Sequence, residues 1–221
     1  MEANTSRSTA GSAGSSLAAS IQADIRPPKA ARAREILQDL QAAAKEAGVG
    51  PAFSELLQAD KKLGSFLAAV FDASPFLRET ALYDLPRLVA ILAGNPDEHF
   101  PRLMAEVAAS WRDTDEAALM TRLRQARAEV ALLVGLADLG GLWPVERVTG
   151  ALTSFAEAAV GATADFLLAD AHASGKLTLR HPDEPSRGSG WILIGMGKCG
   201  ARELNYSSDI DLIVFFDLVA P

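Results

Sequence analysis

The sequence is poor in cysteine and histidine. Cys199 is the single cysteine among 221 residues, so no internal disulfide can form, as is typical of a reducing cytosol. The three histidines, His99, His172 and His181, share no metal-ligand spacing with Cys199. We therefore expect neither a zinc site nor a disulfide scaffold, and we predict that the histidines are ordinary surface or capping residues.

The chain also lacks an excess of basic charge and a long apolar run. Lys and Arg number 21 against 28 Asp and Glu, a net charge of −7, whereas nucleic-acid binding needs a basic surface. No apolar run approaches the roughly 20 residues of a membrane span, and the Ser-, Ala- and Gly-rich N-terminus has no signal-peptide core. We expect a cytoplasmic protein that binds neither nucleic acid nor a membrane.

Hydrophobic residues make up 49% of the chain and charged residues 22%, a balance that permits a substantial core. The composition divides the sequence into four parts. Residues 1–28 are low in complexity and are predicted to form a disordered tail, and residues 29–175 carry helical patterns. Residues 176–190 are predicted to be a polar linker loop, and residues 191–221 contain two strand-like runs. The predicted fold class is mainly α, a helical arm followed by the start of a mixed α/β domain.

The helical region is punctuated by prolines. Ser74 before Pro75 predicts a helix whose first turn is capped by the serine side chain. His99-Phe100-Pro101 predicts another helix start. Two longer helices are expected over about residues 113–137 and 144–173.

The residues that carry chemistry follow this arm. Residues 191–194 are predicted to form a short buried strand, and residues 210–216 a second strand. Between them, Gly195, Gly197 and Gly200 permit positive φ angles and let a phosphate approach the backbone.

Asp209 and Asp211 precede or open the second strand. Residues two apart along a strand share a face, so both carboxylates are expected to point the same way. Two converging carboxylates repel each other unless a cation lies between them, and such hard oxygen ligands suit Mg²⁺.

Several interpretations of this stretch are open. In a nucleotidyltransferase site, the glycine turn would hold phosphates and the two aspartates a metal ion. Gly195-Met-Gly-Lys-Cys-Gly200 also fits the dinucleotide-binding pattern, although only about two helical turns fit before Ser207. A Walker-type phosphate loop fails, because no glycine lies five residues before Gly197 and Cys199 replaces the Ser or Thr after the lysine. A hairpin with solvated aspartates is the purely structural alternative.

The stretch Gly195-Met-Gly-Lys-Cys-Gly-Ala-Arg-Glu-Leu-Asn-Tyr-Ser-Ser-Asp-Ile-Asp-Leu212 resembles the signature of the glutamine synthetase adenylyltransferase/deadenylylating family. That family belongs to the polymerase-beta-like nucleotidyltransferase superfamily. Weaker likeness extends through Ser74-Pro-Phe-Leu77, Leu123-Arg-Gln-Ala-Arg127 and Ala137-Asp-Leu-Gly-Gly141. One departure is Ala201, where the family usually has a glycine, and this raises the expected cost of any positive φ there.

The resemblance implies an N-terminal, phosphorolytic half that removes AMP from a tyrosine of glutamine synthetase, giving ADP. The resemblance also implies a second half that uses ATP to add AMP. PII-type signal proteins and glutamine would shift the balance between the two activities. Together, the residues and the resemblance assign Asp209 and Asp211 to catalysis and Mg²⁺ binding. The expected phosphate and nucleotide ligands are Gly195, Gly197, Lys198 and Ser208.

The family's third carboxylate comes from a later strand than those in this sequence. We therefore expect a fragment of the enzyme, inactive by itself. The alternative functions are a non-catalytic helical module that binds a partner protein and a dinucleotide-binding domain.

Overall fold

The computed structural model describes residues 15–27 and 29–217 as a helical arm followed by a two-stranded sheet. The helices in these ranges are α1 (Leu17–Ser20), α2 (Ala30–Glu46), α3 (Gly50–Ala59), α4 (Lys61–Ala73), α5 (Pro75–Tyr83), α6 (Leu85–Ala93), α7 (Pro96–Ala109), α8 (Glu116–Leu139), α9 (Val145–Ala173) and α10 (Gly197–Gly200). The strands are β1 (Trp191–Gly195) and β2 (Leu212–Phe216). The mainly α fold class is confirmed.

Helix starts follow local capping chemistry. The Ser74 hydroxyl accepts a hydrogen bond from the Leu77 amide at 3.3 Å, with Pro75 at the first helical position, so the predicted cap is confirmed. The predicted start at Pro101 is wrong, because α7 begins at Pro96 and contains Pro101 in its interior. Asn95 provides the stronger start signal, since its side chain accepts from the Asp97 amide at 2.9 Å.

The expected disordered tail extends too far along the sequence. Residues 1–14 and 28 lie outside the described residues, but α1 is packed: Leu17 is fully buried and Ile21 is 7% exposed. The Leu17 amide donates to the Gly94 carbonyl at 2.7 Å, and the Gln22 amide donates to the Gly140 carbonyl at 2.9 Å. The prediction of disorder is wrong for residues 17–22, because apolar residues absent from the earlier Ser/Gly run dock them on the arm.

The arm has two hydrophobic clusters that share α8. The larger cluster brings together the six helices α1 through α6 and the C-terminal third of α8, and its largest fully buried side chains include Phe53, Phe66 and Phe71. The smaller cluster joins α7, α8 and α9 around Val130, Val134, Trp143 and Val148. Burial of this apolar surface is the main force that holds the short helices together.

His99 is a buried exception to the prediction that the histidines lie at the surface. It is 7% exposed on α7, and its Nε2 lies 2.6 Å from a carboxylate oxygen of Glu129 on α8. Arg87 on α6 contacts the second oxygen at 3.4 Å and Asp84 at 3.0 Å. These polar contacts connect three helices between the two clusters.

Glu129 should make the arm sensitive to acid. The hydrogen bond from His99 lowers the pKa of Glu129 below its ordinary value, with smaller contributions from nearby positive charges. This stabilisation is present above the ordinary carboxyl pKa and is lost as pH falls through the lowered one. We predict that Glu129→Gln reduces the free energy of unfolding at pH 7 by about 1–3 kcal/mol, and that the difference shrinks near pH 3. Urea unfolding at both pH values checks this, with exposed Glu106→Gln as control; a constant difference would contradict it.

The sheet pairs β1 with β2 in antiparallel register, with Gly195 opposite Leu212 and Leu193 opposite Val214. β2 begins two residues later than predicted, so Asp209 and Asp211 precede the strand. The predicted burial of β1 is wrong: Trp191 and Ile192 are 51% and 52% exposed. The residue types of the two runs suit strands, and the strands pair. Burial of the sheet also needs a layer of other elements over each face, which the described residues do not supply.

By length and composition alone, the 29 residues of α9 could cross a membrane. The sequence contains no continuous apolar run of that length, since residues such as Glu157 interrupt it. One side of α9 packs on α7 and α8, as in a core helix, and the other faces the sheet. The absence of a membrane partner stays a prediction.

Candidate functional site

The glycine turn after β1 is a single helical turn closed by a left-handed residue. Gly197, with φ of +53°, starts α10, and Arg202, with φ of +60°, follows its end. The Arg202 amide donates to the Cys199 carbonyl at 3.1 Å, and the Glu203 amide to the Lys198 carbonyl at 2.8 Å. This is the Schellman pattern that satisfies the last carbonyls of a helix.

The expected cost of Ala201 does not arise. Ala201 has a φ of −80°, an ordinary helical value, and the left-handed position lies one residue later at Arg202. A non-glycine residue in that conformation carries a strain of roughly 1–2 kcal/mol. The two backbone hydrogen bonds of the Schellman pattern favour this conformation at Arg202.

Gly200 is required by a close approach of two backbone segments. A Cβ atom at Gly200 would lie 2.4 Å from the Gly195 carbonyl oxygen, well inside van der Waals contact. The neighbouring Cys199 is buried, and its Sγ lies 3.1 Å from the Cβ position at Gly195. The turn is thus packed directly on the end of β1.

The turn and the aspartate segment meet through one backbone hydrogen bond. The Met196 amide donates to the Asp211 carbonyl at 2.8 Å and extends the β1–β2 ladder by one step. The 197–200 turn and Asp211 therefore lie next to each other. Both Asp209 and Asp211 are exposed, and within residues 15–27 and 29–217 neither forms an ion pair.

Asn205 organises the approach to the aspartates. Its Oδ1 accepts hydrogen bonds from the Ser207 amide at 3.1 Å, the Ser207 hydroxyl at 3.2 Å and the Ser208 hydroxyl at 2.8 Å. The side chain thus holds the turn before Asp209, rather than the helix after the glycines. Ser208 is partly buried and its hydroxyl proton is directed to Asn205.

Arg202 reaches away from the turn and onto α9. Its Nη1 lies 2.8 Å from each carboxylate oxygen of Glu157, and its Nη2 donates to the Ser154 hydroxyl at 2.9 Å. Two residues later, Leu204 is 4% exposed, and its amide donates to the fully buried Thr153 hydroxyl at 3.4 Å. In the structure, the guanidinium of Arg202 therefore binds to α9.

Tyr206 of the same loop approaches α8. Its hydroxyl lies 3.7 Å from the Cβ position of Gly135, an ordinary van der Waals distance. Burial raises the pKa of the Tyr206 phenol, and the negative charge of Asp138 adds to the shift. Burial also raises the pKa of the Asp138 carboxyl.

An apolar groove of about 730 Å³ lies between α8, α9 and the inner face of the sheet. Side chains such as Phe155, Leu167 and Leu193 line it, and Ser208 and Asp209 lie at its polar side. Of the other predicted site residues, Gly195, Gly197, Lys198 and Asp211 do not line it. The structure therefore joins Asp211 to the glycine turn and places Asp209 beside the groove.

The contacts of this loop with α9 are not among the features predicted from the sequence. Thr153, Ser154 and Glu157 lie on one helix in an otherwise apolar stretch. A buried Thr next to a Ser in such a stretch was the available signal, since polar groups that are buried need hydrogen-bond partners.

The donor set fits part of a magnesium site. Asp209 and Asp211 offer exposed carboxylate oxygens, the ligand type that Mg²⁺ prefers. Among the described residues, no group of three or more His, Cys, Asp and Glu side chains could hold a metal ion. A complete site would need further ligands, such as substrate oxygens or another carboxylate.

The dinucleotide-binding alternative does not match this geometry. That fold requires parallel strands joined through a full helix, whereas β1 and β2 are antiparallel and α10 has four residues. The glycine spacing serves a tight turn instead.

Comparison with known proteins gives the family. A family model described as glutamate-ammonia ligase adenylyltransferase matches residues 65–221. A curated relative from Brucella suis biovar 1 (strain 1330), named bifunctional glutamine synthetase adenylyltransferase/adenylyl-removing enzyme, is 42% identical over 200 residues, covering 89% of this chain and 20% of the relative. A relative of the same name from Mesorhizobium japonicum is 47% identical over 203 residues, with the same coverage.

A third relative of that name, from Bradyrhizobium diazoefficiens, is 47% identical over 154 residues, covering 69% of this chain and 16% of the relative. No solved structure matches the chain. The chain spans about a fifth of the length of the first two relatives. On the match over residues 65–221 and these identities, the chain belongs to the glutamate-ammonia ligase adenylyltransferase family.

Proposed function

We propose that this chain carries part of a nucleotidyl-transfer site for the removal of AMP from a tyrosine of glutamine synthetase. The observation that carries the proposal is the hydrogen bond from Met196 to Asp211, which sets the glycine turn beside the aspartate segment. A phosphate-binding turn and two acidic metal ligands are the groups that phosphoryl chemistry requires. The names of the relatives support the target and the reaction class.

Each predicted site residue has a role in this proposal. The backbone around Gly195 and Gly197, with the Lys198 ammonium, would bind phosphate oxygens, and Ser208 would bind one more once its hydroxyl turns from Asn205 to the phosphate. Asp209 and Asp211 would hold Mg²⁺. When bound there, Mg²⁺ would offset the negative charge that develops on the transferred phosphoryl group.

The chemistry is a displacement at phosphorus. An oxygen of inorganic phosphate attacks the phosphorus of the tyrosine-linked AMP and forms a new P–O bond. The bond between that phosphorus and the tyrosine oxygen breaks, so that ADP leaves and the tyrosine oxygen takes up a proton. The exposed turn gives this phosphate access to the site. The turn would hold the negative charge of the phosphate next to the Mg²⁺ that the two aspartates would bind.

We further propose that the 221-residue chain alone does not turn over substrate. Asp209 and Asp211 supply two carboxylates to the proposed metal site, one fewer than the resemblance implies. Among the described residues, no third potential metal ligand is grouped with them. The protein at the length of its relatives, called here the intact enzyme, would act in the cytoplasm, use ATP in its other half and respond to a PII-type signal protein.

The test is an assay of adenylylated glutamine synthetase. The intact enzyme is expected to release AMP as ADP only when both phosphate and Mg²⁺ are present, and the 221-residue chain is expected to release none. ADP formation measured by chromatography, with omission of each component as control, checks this. Release without phosphate would contradict the phosphorolytic assignment.

The same preparation tests the non-catalytic alternative. If the 221-residue chain binds glutamine synthetase or a PII-type protein, and the intact enzyme shows no phosphate- and Mg²⁺-dependent turnover, the chain is a docking module. Turnover by the intact enzyme excludes that alternative as the main function.

A further inference from the structure

The loop that carries the predicted site residues is held to α9 by a small set of contacts. We name this set the α9 clasp: Thr153, Ser154 and Glu157 on α9, with Arg202 and Leu204 on the loop. Building on the proposed function, we propose that Glu157 and Thr153 are positioning residues for nucleotidyl transfer. They act through Arg202 and Leu204 and touch no substrate.

The geometry places the clasp at the middle of the loop. Residues 196–211 connect the two strands, and their ends are tied together by the hydrogen bond between Met196 and Asp211. Arg202 and Leu204 lie between the glycine turn and Ser208. The clasp therefore fixes the loop on the long helix at a point between its phosphate-binding and acidic parts.

Strain at Arg202 supports a directed role. Its φ of +60° belongs to a region that glycine occupies readily, yet the residue is an arginine. The left-handed turn directs the guanidinium back to Glu157 and Ser154, where it makes contacts of 2.8–2.9 Å. A glycine at this position would relieve the strain and lose the anchor.

The ion pair of the clasp is too exposed for stability to explain it. The side chains of Arg202 and Glu157 are 53% and 52% exposed, and surface ion pairs contribute only about 0–1 kcal/mol to folding. By contrast, a shift of about 1 Å in a reacting group lowers a rate by about 100-fold. Loss of this ion pair should therefore affect catalysis much more than folding.

The other end of the clasp, formed by Thr153 and Leu204, is buried, and the Thr153 hydroxyl has little freedom to rotate. The Thr153 hydroxyl donates to the Thr149 carbonyl at 2.8 Å and accepts from the Leu204 amide, so its orientation is set within α9. Leu204 itself is 4% exposed. Thr153→Ser keeps the hydroxyl and Thr153→Val removes it, which gives a matched pair for this contact.

The kinetic test uses Glu157→Gln and Arg202→Lys in the intact enzyme. Both are expected to lower kcat for AMP release by about 10- to 100-fold, with the KM for phosphate unchanged. The double variant should lose little more than either single one, because both remove one interaction. Glu184→Gln is the control, since it breaks a similarly exposed ion pair with Arg187.

Two kinetic outcomes would overturn the proposal. If Arg202→Lys raises the KM for phosphate while Glu157→Gln is silent, the arginine is a direct phosphate ligand. If both variants match the control, the clasp is only a surface contact.

Hydrogen exchange in the 221-residue chain tests the clasp even where the intact enzyme has no activity. Glu157→Gln and Thr153→Val should raise the exchange rate of the Glu203 and Leu204 amides several-fold, while Thr153→Ser and Glu184→Gln should not. Unchanged exchange in the first two variants would refute the clasp. If exchange is faster in these two variants but the intact wild-type enzyme is inactive, the clasp anchors the loop without positioning it for nucleotidyl transfer. The proposed function would then be what failed.

Discussion

Asp209→Asn in the intact enzyme is expected to abolish AMP release, with kcat reduced at least about 100- to 1,000-fold. Asparagine has nearly the same shape as aspartate but lacks the charge that Mg²⁺ binding requires. The same loss is expected for Asp211→Asn, whose backbone contact to Met196 is unchanged by the substitution. The measurement is ADP formation from adenylylated glutamine synthetase.

The arm should stay folded in these variants. Asp209 and Asp211 are exposed, and a surface substitution away from a specific contact changes stability by only about 0.5 kcal/mol. Asp170→Asn, the same chemical change at an exposed position on α9, is the matched control and should retain full activity. If Asp209→Asn retains activity, the assignment of the metal-binding pair is wrong.

The sequence predicted some features correctly where one local interaction decides the structure. Ser74 before Pro75 predicted a capped helix because the serine side chain satisfies a free amide whatever the rest of the chain does. The glycine spacing and the paired aspartates likewise predicted a turn between two strands. The roles of these site residues remain predictions, whereas their arrangement around one backbone ladder is now described.

The wrong helix start at Pro101 is a local error, because the Asn95 cap lies a few residues earlier in the sequence. Other errors come from contacts between residues that are far apart in the sequence. The docking of Leu17 on Gly94 and the placement of His99 beside Glu129 join residues that are far apart in sequence. The same is true of Arg202 and Glu157, which are 45 residues apart. Periodicity and capping carry no information on such pairs, because they depend on how helices pack.

The prediction that β1 is buried is wrong for a related reason. The apolar run of β1 fits a strand with two covered faces, but burial depends on the neighbouring elements rather than on the run itself. In the described residues, α8 and α9 face one side of the sheet across the groove, and Ile192 and Phe215 on the other side are 52% and 51% exposed. The apolar side chains of β1 therefore suit a buried strand, but this two-stranded sheet leaves them partly exposed.

The second large effect is expected for Gly200→Ala. The added methyl group would lie 2.4 Å from the Gly195 carbonyl oxygen, and neither backbone segment can give way like a side chain. Overpacking of this kind costs roughly 1–3 kcal/mol, enough to open the turn at the end of an exposed sheet. We expect AMP release by the intact enzyme to fall at least about 100-fold because Gly197 and Lys198 are displaced.

The damage should remain local, and this distinguishes a packing requirement in the turn from general instability. Amides of the 196–203 turn should exchange faster in Gly200→Ala, while those of α4 and α8, which lie in the arm's core, keep their protection. Gly150→Ala on α9 is the control, since its Cβ would meet nothing within 4 Å and the helix gains up to about 1 kcal/mol. Normal activity and exchange in Gly200→Ala would mean that the turn can relax away from β1. In that case the close approach of Gly200 to Gly195 would not be what holds the glycine turn beside Asp211.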